Sequence, residues 1–156
     1  MDKYAIYTTK LGYFKISYVE KYITAISYLH SYESLGKPTI LTDTVAQQLL
    51  LYLEGKLSQF DIPLKINGTE FQKKVWQALI DIPYGETRSY KDIANMIGHP
   101  KATRAVGMAN NKNPFLIVIP CHRVIGSDGS LTGYAAGLDI KVSLLKIEKE
   151  SRKNFI

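Results

Sequence analysis

The sequence predicts an α+β (mixed α/β) fold, with a small N-terminal antiparallel sheet and a helix followed by a mainly helical part. Residues 3–28 are rich in Tyr, Ile, Thr and Phe and are interrupted by short turns, which is typical of β-strands. The second half instead carries apolar side chains at helical spacing. Between them, the segment LSQFDIPLKINGT (57–69) shows neither the pattern of a strand nor that of a helix. A chain of 156 residues fits one domain or two small ones, and we expect two, at 1–65 and 66–156.

Composition and charge narrow the class of protein. The chain is 46% hydrophobic and 22% charged, as in soluble globular proteins. No apolar stretch is long enough to span a bilayer, and no secretory signal opens the sequence. The single cysteine excludes an internal disulfide and suits a reducing cytoplasm, so we expect a cytoplasmic protein that does not bind membranes. The formal charge of +6 fits a nucleic-acid partner, although many basic proteins bind none.

The N-terminal part is predicted to begin with a three-stranded antiparallel meander. Its strands are YAIYTT (4–9), YFKISYV (13–19) and YITAISYL (22–29), separated by turns at 10–12 and 20–21. A helix is predicted over 43–53, with Thr42 or Asp43 as its N-cap and Gly55 where it stops.

The second half opens with a capping box, in which Thr69 is the N-cap and Gln72 reaches back to it. The following apolar face consists of Phe71, Val75, Trp76, Leu79 and Ile80. Two further helices, predicted over 88–97 and 101–110, are separated by Gly98-His99-Pro100. This is the outline of a helix-turn-helix, which any helical hairpin also fits.

The second helix of this pair, KATRAVGMANN, is unusually thin. Its exposed side is predicted to carry Lys101 and Arg104. The small residues of the segment are Ala102, Ala105, Gly107 and Ala109. Small residues allow either tight packing against a neighbouring helix or close approach to a DNA groove, with Arg104 available to fill a gap in the base stack.

The only cysteine lies in IVIPCHRVI (117–125), at a break between two apolar runs. A thiol is nucleophilic only as the thiolate, so a reactive Cys121 needs a base. At a turn after Pro120, His122 could converge on it directly or through a water. Glu148 lies on the same predicted helix face as Leu138, Leu144 and Leu145. A glutamate there needs a partner, and it could be the acid that orients His122. The alternatives are a small buried cysteine and a glutamate at the rim of the core.

Known cysteine chemistries leave one possibility open. A tyrosine-phosphatase loop needs Arg six positions after Cys121, where this chain has Ser127. A redox enzyme usually has a second cysteine, and the local signatures of cysteine proteases are absent. What remains is a thiolate that accepts a group from a substrate and keeps it.

The second half of the sequence resembles the O6-alkylguanine-DNA alkyltransferases, also called methylated-DNA–protein-cysteine methyltransferases. The matching segments are FQKKVWQALIDIPYGETRSYKDIA, TRAVGMANNKNP, IPCHRVIGSDGSLTGYAAGL and LLKIE, in this order. The resemblance implies a winged-helix-like C-terminal domain with a helix-turn-helix. For the first half it extends to layout only, that of a ribonuclease H-like domain.

The resemblance implies a role for each matched position of the reacting group. Cys121 would accept the alkyl group as a stable thioether, so that each molecule acts once. His122 would be the base, working through a water, and Glu148 would orient it. Asn113 would hold the Cys-His turn in shape, and Tyr90 would donate to the guanine ring as negative charge develops on it.

The resemblance also implies how the DNA is held. The base must be flipped out, because its O6 is hidden in the duplex. The implied DNA-binding residues are Arg104, which would replace the flipped base in the stack, and Lys101, Ala105 and Gly107 on the same segment. The implied base pocket consists of the Tyr134 side chain and the main chain of Val124 and Ala135. Arg123 would be structural, tying the site to the domain interface.

The expected partner is double-stranded alkylated DNA, bound through its minor groove with little sequence preference. The substrates would be O6-alkylguanine and O4-alkylthymine, repaired by a monomer that needs no cofactor. We expect no metal, since the three histidines (His30, His99, His122) are scattered.

The chain departs from some members of the family in its base pocket. Ala135 and Ala136 stand where some members have Ser and Gly, which implies a slightly narrower pocket that still accepts methyl. Two other functions remain open: a module that flips and binds damaged bases without transfer, and a cysteine hydrolase with multiple turnovers. Contact between Glu148 and His122 distinguishes an activated thiol from the former.

Overall fold

The computed structural model describes residues 3–156, so the first two residues of the expected N-terminal domain lie outside the described part. Its strands are β1 (Lys3–Thr9), β2 (Gly12–Val19), β3 (Tyr22–Leu29), β4 (Arg88–Ser89) and β5 (Val124–Ile125). Its helices are α1 (Ile40–Leu53), α2 (Glu70–Ile80), α3 (Tyr90–Met96), α4 (Thr103–Asn111) and α5 (Leu138–Ser151). Single 3₁₀ turns span Cys121–Arg123 and Arg152–Phe155. The predicted α+β class is therefore confirmed.

The N-terminal meander has the predicted strand order, β1-β2-β3, and is antiparallel throughout. Ile16 at the centre of β2 pairs with Ala5 on one side and Ile26 on the other, and all three are buried. Because side chains alternate along a strand, Phe14 and Tyr18 point to this same inner face. The core of the sheet therefore lies on the side covered by α1.

Helix α1 begins three residues before its predicted start, and the predicted N-cap at Thr42 or Asp43 is wrong. Thr39 is the N-cap, since its hydroxyl accepts from the Thr42 amide in a complete capping box. The apolar pattern conceals this first turn because Ile40 is 89% exposed and does not continue the buried face. The predicted end is confirmed, with Gly55 in the left-handed region (φ +74°) just beyond the helix.

The segment after α1 has no helix or extended strand, as predicted, but its backbone forms hydrogen bonds with the sheet. Ile23 of β3 donates to the Pro63 carbonyl and accepts from the Lys65 amide, both at 2.8 Å. Farther along β3, Ile26 donates to the Pro114 carbonyl and accepts from the Leu116 amide. The sheet edge thus contacts the segment that leads into the Cys121 turn, so the two halves share one buried core.

The second half opens on α2 with the predicted capping box of Thr69 and Gln72. Helices α3 and α4 pack against it as a helical hairpin, and the Trp76 indole donates to the Ala109 carbonyl at 2.9 Å. Ala109 therefore faces the core, and the thin helix is packed on that side.

Two predicted helix starts are wrong in this half. Helix α3 begins at Tyr90, because Arg88 and Ser89 form β4, which pairs in parallel with β5. Helix α4 begins at Thr103, so Lys101 lies in the preceding turn and not on the helix. Residue periodicity reveals neither the pairing of β4 with β5 nor the turn before α4, in which the Ala102 amide donates to the His99 carbonyl.

The last helix, α5, carries the predicted buried glutamate, but its buried face differs from the expected one. Leu138 is the first residue of α5 and is 47% exposed, and Leu145 is only half-buried. The face toward the core consists of Ile140, Lys141, Leu144 and Glu148. None of the helices within residues 3–156 is long and apolar enough to cross a membrane.

Candidate active site

The only cysteine lies in a tight 3₁₀ turn, where sequence analysis placed a turn after Pro120. The Cys121 amide donates to the Ile119 carbonyl at 2.7 Å, and the Arg123 amide donates to the Pro120 carbonyl at 3.0 Å. Cys121, His122 and Arg123 are all buried. The turn therefore brings two neighbouring side chains, the thiol and the imidazole, into the core together.

Two asparagines hold this turn from the preceding segment. The Asn113 amide nitrogen donates to the Ile119 carbonyl at 2.7 Å, and its oxygen accepts from the Phe115 amide at 2.9 Å. Asn110 of α4 donates to the Cys121 carbonyl at 3.4 Å, a contact that sequence analysis did not find. Ile117, which lies between Asn113 and the turn in the chain, has φ +72°, which is unfavourable for a β-branched residue. The surrounding bonds keep this backbone in place.

The Glu148 carboxylate is the centre of the site. Oε2 lies 2.6 Å from His122 Nε2, and the Arg123 guanidinium spans both oxygens at 2.8 and 3.1 Å. Oε1 also accepts from the Gly85 amide at 3.0 Å. Burial alone would raise the pKa of Glu148, but hydrogen bonds and charge from His122 and Arg123 outweigh it and hold that pKa well below its usual range. The carboxylate is therefore ionised and can only accept.

This fixes the protonation of His122. Because Glu148 only accepts, Nε2 carries the proton, and Nδ1 is left with its lone pair. Nδ1 is buried and has no hydrogen-bond partner within residues 3–156. Burial lowers the pKa of His122, although Glu148 opposes the shift. The imidazole is therefore neutral at pH 7, with Nδ1 free to take a proton.

The thiol is protonated at rest. Burial raises the pKa of Cys121 to about 11, against the Asn113 amide, the Lys141 ammonium and the Tyr134 hydroxyl, which favour the thiolate. At neutral pH the thiolate is thus scarce without a base. A neutral imidazole next to a buried thiol is the arrangement that can remove its proton.

Lys141 is a buried cation that sequence analysis missed. Its ammonium donates to the Val124 carbonyl at 2.6 Å and to the Thr132 carbonyl at 3.0 Å, and the side chain is fully buried. Burial lowers its pKa, and the charge of Cys121 opposes this. The missed signal is its position, since Lys141 precedes Glu148 by seven residues and so lies on the same helix face.

The N-terminal half contributes a hydroxyl that was also missed. Tyr52 of α1 is fully buried and donates to Glu148 Oε2 at 2.5 Å, with its oxygen 3.2 Å from His122 Nε2. Tyr52 lies on the buried face of α1 with Val45, Leu49 and Leu53. The hydroxyl of a buried tyrosine needs a hydrogen-bond partner, and this requirement could have pointed to Tyr52.

The expected base-pocket residues differ in exposure. Val124 is fully buried and Tyr134 is 9% exposed, with a hydroxyl that has no well-directed partner within residues 3–156. Ala135 is exposed, whereas Ala136 is buried. The Tyr90 hydroxyl donates to the Thr132 carbonyl at 3.0 Å.

A cavity borders the turn that carries Cys121. It has a volume of about 500 Å³ and is not lined by Cys121 or Tyr134. Its wall includes Phe60, Pro83, Pro120 and Arg123. Since Cys121 is only 2% exposed, its thiol is not open to solvent in this structure.

The expected DNA-binding residues form one exposed surface on α4 and the turn before it. Lys101, Arg104 and Ala105 are exposed, and Gly107 is half-buried against the Tyr90 ring. Met108, which sequence analysis did not single out, is 64% exposed on the same surface. The opposite side of α4 is buried.

Two family models match the chain. The ribonuclease-like domain of 6-O-methylguanine DNA methyltransferase matches residues 3–66, and the DNA binding domain of the same family matches residues 70–150. The methylated-DNA–protein-cysteine methyltransferase of Methanosarcina acetivorans is 47% identical over 151 residues, covering 93% of this chain and 97% of that protein. The Methanosarcina barkeri protein of the same name is 65% identical over 106 residues, 68% of this chain and 67% of its own.

Solved structures agree. The Mycobacterium tuberculosis O6-methylguanine methyltransferase is 40% identical, with a TM-score of 0.88 over 97% of this chain and 94% of that one. The M. tuberculosis OGT in complex with DNA gives a TM-score of 0.85 at 41% identity, over 95% and 93%. This chain therefore belongs to the 6-O-methylguanine DNA methyltransferase family.

Proposed function

We propose that this protein repairs DNA by transferring the alkyl group from O6 of guanine in duplex DNA to the sulfur of Cys121, where it remains. Membership in the family and the names of its relatives support this activity. The observation that carries the proposal is the contact between Glu148 and His122, which leaves Nδ1 as an unpartnered base in the same buried turn as the thiol. Each molecule acts once, because a thioether is not readily hydrolysed.

The first step is activation of the thiol. Nδ1 of His122 takes the proton of Cys121 through a bridging water, and Glu148 stabilises the imidazolium that results. The positive charge of Lys141 favours the thiolate further. The sulfur then attacks the alkyl carbon in line with the C–O6 bond, which breaks.

The second step is departure of guanine with the electrons of that bond. The Tyr90 hydroxyl donates to the base ring as negative charge develops there, which lowers the barrier. In the free protein this hydroxyl donates to the Thr132 carbonyl, so it exchanges that partner for the base. The proton taken from Cys121 returns to guanine, and the reaction balances without any cofactor.

The remaining predicted residues bind and position the base. Asn113 keeps the Cys-His turn in shape, and Arg123 ties the turn to Glu148 and to the Ile82 carbonyl. Tyr134 lines the base pocket, and main-chain groups of Val124 and Ala135 read the guanine edge. The buried Ala136 methyl narrows this pocket, which favours methyl over bulky adducts.

The exposed surface of α4 is the proposed DNA contact. It enters the minor groove, where Ala105 and Gly107 allow close approach and Lys101 contacts phosphate. Arg104 fills the gap that the flipped nucleotide leaves. None of these groups reads base edges of the major groove, which supports binding with little sequence preference.

We also propose the oligomeric state of the protein, its compartment, a second substrate and its domain division. The protein acts as a monomer in a reducing cytoplasm, and also accepts O4-alkylthymine. It divides into domains at 1–65 and 66–156, a division supported by the two family matches.

The test is intact-mass measurement and peptide mapping after mixing the protein with excess duplex carrying one O6-methylguanine. We expect one added methyl on the Cys121 peptide, restored guanine, and one event per protein molecule. The Cys121→Ser variant is the control and gains no mass.

Two outcomes would contradict the proposal. DNA that is bound while the wild-type mass stays unchanged would indicate a damage-recognition module. Repair over many turnovers with unmodified protein would indicate a hydrolase.

A further inference from the structure

We propose that Tyr52, which belongs to the N-terminal half, is a positioning residue for alkyl transfer, acting on the Glu148-His122 pair and not on the substrate. The proposal rests on the proposed function above, because it concerns the same thiol activation. It assigns the N-terminal half a direct part in the chemistry.

The geometry brings this hydroxyl to the centre of the site. Tyr52 lies 96 residues before Glu148 in the chain, yet its hydroxyl donates to Oε2 at 2.5 Å. The hydroxyl oxygen of Tyr52 also lies 3.2 Å from His122 Nε2, so it accepts part of the Nε2 hydrogen bond. Tyr52, His122 and Glu148 therefore form a closed triangle, and each vertex is buried.

The phenol acts as a donor and stays protonated. Burial raises the pKa of Tyr52 well above its usual value, and the charge of Glu148 raises it further. A neutral phenol takes up part of the negative charge on Oε2, as the Arg123 guanidinium does from the other side. The carboxylate is thus less basic than it would be with His122 as its only partner.

The triangle has two consequences for His122. Two acceptors on Nε2 keep the proton on that nitrogen, which reserves Nδ1 for the thiol. They also hold the ring from two directions, which restricts its rotation and fixes the position of Nδ1. A ring tethered by Glu148 alone could rotate about a single bond.

The support around Tyr52 makes this position rigid. Its ring packs at 5.5 Å from Phe60 and at 6.2 Å, edge to face, from Tyr84. The other titratable and charged groups that interact with the triangle are Tyr84, Arg123, Tyr134 and Lys141. Removing only the Tyr52 hydroxyl leaves all of these in place.

The experiment compares Tyr52→Phe with Tyr18→Phe in the full chain. Tyr18 is also buried in the N-terminal half, and its hydroxyl donates to the Lys37 carbonyl away from the site. Single-turnover transfer from methylated duplex is measured between pH 5 and 9, together with the melting temperature. Nitrogen NMR of the histidine rings reports the tautomer and titration of His122, with the exposed His30 and His99 as internal references.

We expect Tyr52→Phe to transfer about tenfold more slowly at pH 7.5, the effect of one hydrogen bond that orients a catalytic group. Without the phenol, Oε2 carries more charge and favours the imidazolium. The acidic limb of the rate profile and the titration of His122 should therefore both move to higher pH. Tyr18→Phe should match the wild-type protein in rate, limb and spectrum.

Each remaining outcome overturns the proposal. A Tyr52→Phe protein with wild-type rate and acidic limb would show that the hydroxyl has no part in transfer. A slower rate with an unmoved limb and unmoved His122 spectrum would mean that Tyr52 serves the fold alone. A wild-type protein that transfers no methyl would end the proposed function and this proposal together, whereas the first two results end only this one.

Discussion

His122 and Glu148 are joined by a 2.6 Å hydrogen bond between Nε2 and Oε2 in the fully buried centre of the molecule. Twenty-six residues separate them, and the bond links the 3₁₀ turn to α5. The carboxylate has no free orientation, because Arg123, Tyr52 and Gly85 also donate to it. The imidazole is therefore oriented by the fold before any substrate arrives.

Replacing Glu148 by glutamine should impair both transfer and stability. The amide cannot stabilise imidazolium as a charge does, so we expect the transfer rate to fall about 100-fold, within the usual range for general-base catalysis. Arg123 would be left as an uncompensated buried charge, which typically costs about 3 kcal/mol. Single-turnover kinetics and urea unfolding measure the two effects.

The matched control is Glu150→Gln, an exposed position on the same helix. It should behave as wild type in both measurements. A Glu148→Gln protein with wild-type kinetics would show that the pair has no part in activating the thiol.

Glu148 should also make stability depend on pH. Its pKa in the folded state lies well below the value of about 4.3 in an unfolded chain. A depressed folded-state pKa stabilises above the unfolded value, and this stabilisation is lost as pH falls toward the folded one. The difference in unfolding free energy between wild type and Glu148→Gln should therefore be constant from pH 7 to 5 and shrink toward pH 3. Urea titrations across this range test it, and a difference that stays constant to pH 3 would contradict the assignment.

Sequence analysis identified the three candidate catalytic side chains and, through the family resemblance, the supporting residues Asn113 and Arg123. It did not identify the supports that come from distant parts of the chain. Cys121 and His122 are adjacent, and helical spacing alone put Glu148 on the buried side of α5. Tyr52 and Gly85 reach the carboxylate from distant parts of the chain, and no local period encodes such contacts. The start of α1 was missed for a related reason, since Ile40 is an apolar residue that the fold leaves exposed.

Replacing His122 by alanine should make transfer depend directly on hydroxide. Without the imidazole, only the small thiolate fraction of Cys121 reacts, and its pKa is raised to about 11. The transfer rate should then rise about tenfold per pH unit up to pH 9.5. The wild-type rate should be level near neutrality, because the lowered pKa of His122 keeps the base neutral there. Rates of both proteins on methylated duplex provide the comparison, and parallel profiles would exclude His122 as the base.

Lys141 should contribute both to stability and to transfer. Lys141→Met keeps the length of the side chain but leaves the Val124 and Thr132 carbonyls without this donor. Val124 is buried, and a buried acceptor left unsatisfied costs about 1–3 kcal/mol, whereas the Thr132 carbonyl still accepts from the Tyr90 hydroxyl. Loss of the positive charge near Cys121 should also slow transfer about tenfold.

Lys146→Met, on the exposed side of the same helix, is the control for removing a lysine charge. Unfolding and single-turnover kinetics of the two variants separate local from general charge effects. Equal transfer rates in both variants would mean that Lys141 does not influence the thiol.

Alkylation of Cys121 should destabilise the folded protein. The sulfur is buried in a turn that hydrogen bonds from Asn110 and Asn113 hold in place, so an added methyl enlarges a side chain in a packed core. Enlarging a side chain in a packed core typically costs about 1–3 kcal/mol. The methylated protein should therefore melt several degrees below the free protein, with a larger decrease for a benzyl group. Cys121→Ser protein exposed to the same DNA controls for the effect of bound duplex, and equal melting temperatures for the free and methylated wild-type protein would show that the turn accommodates the methyl group without strain.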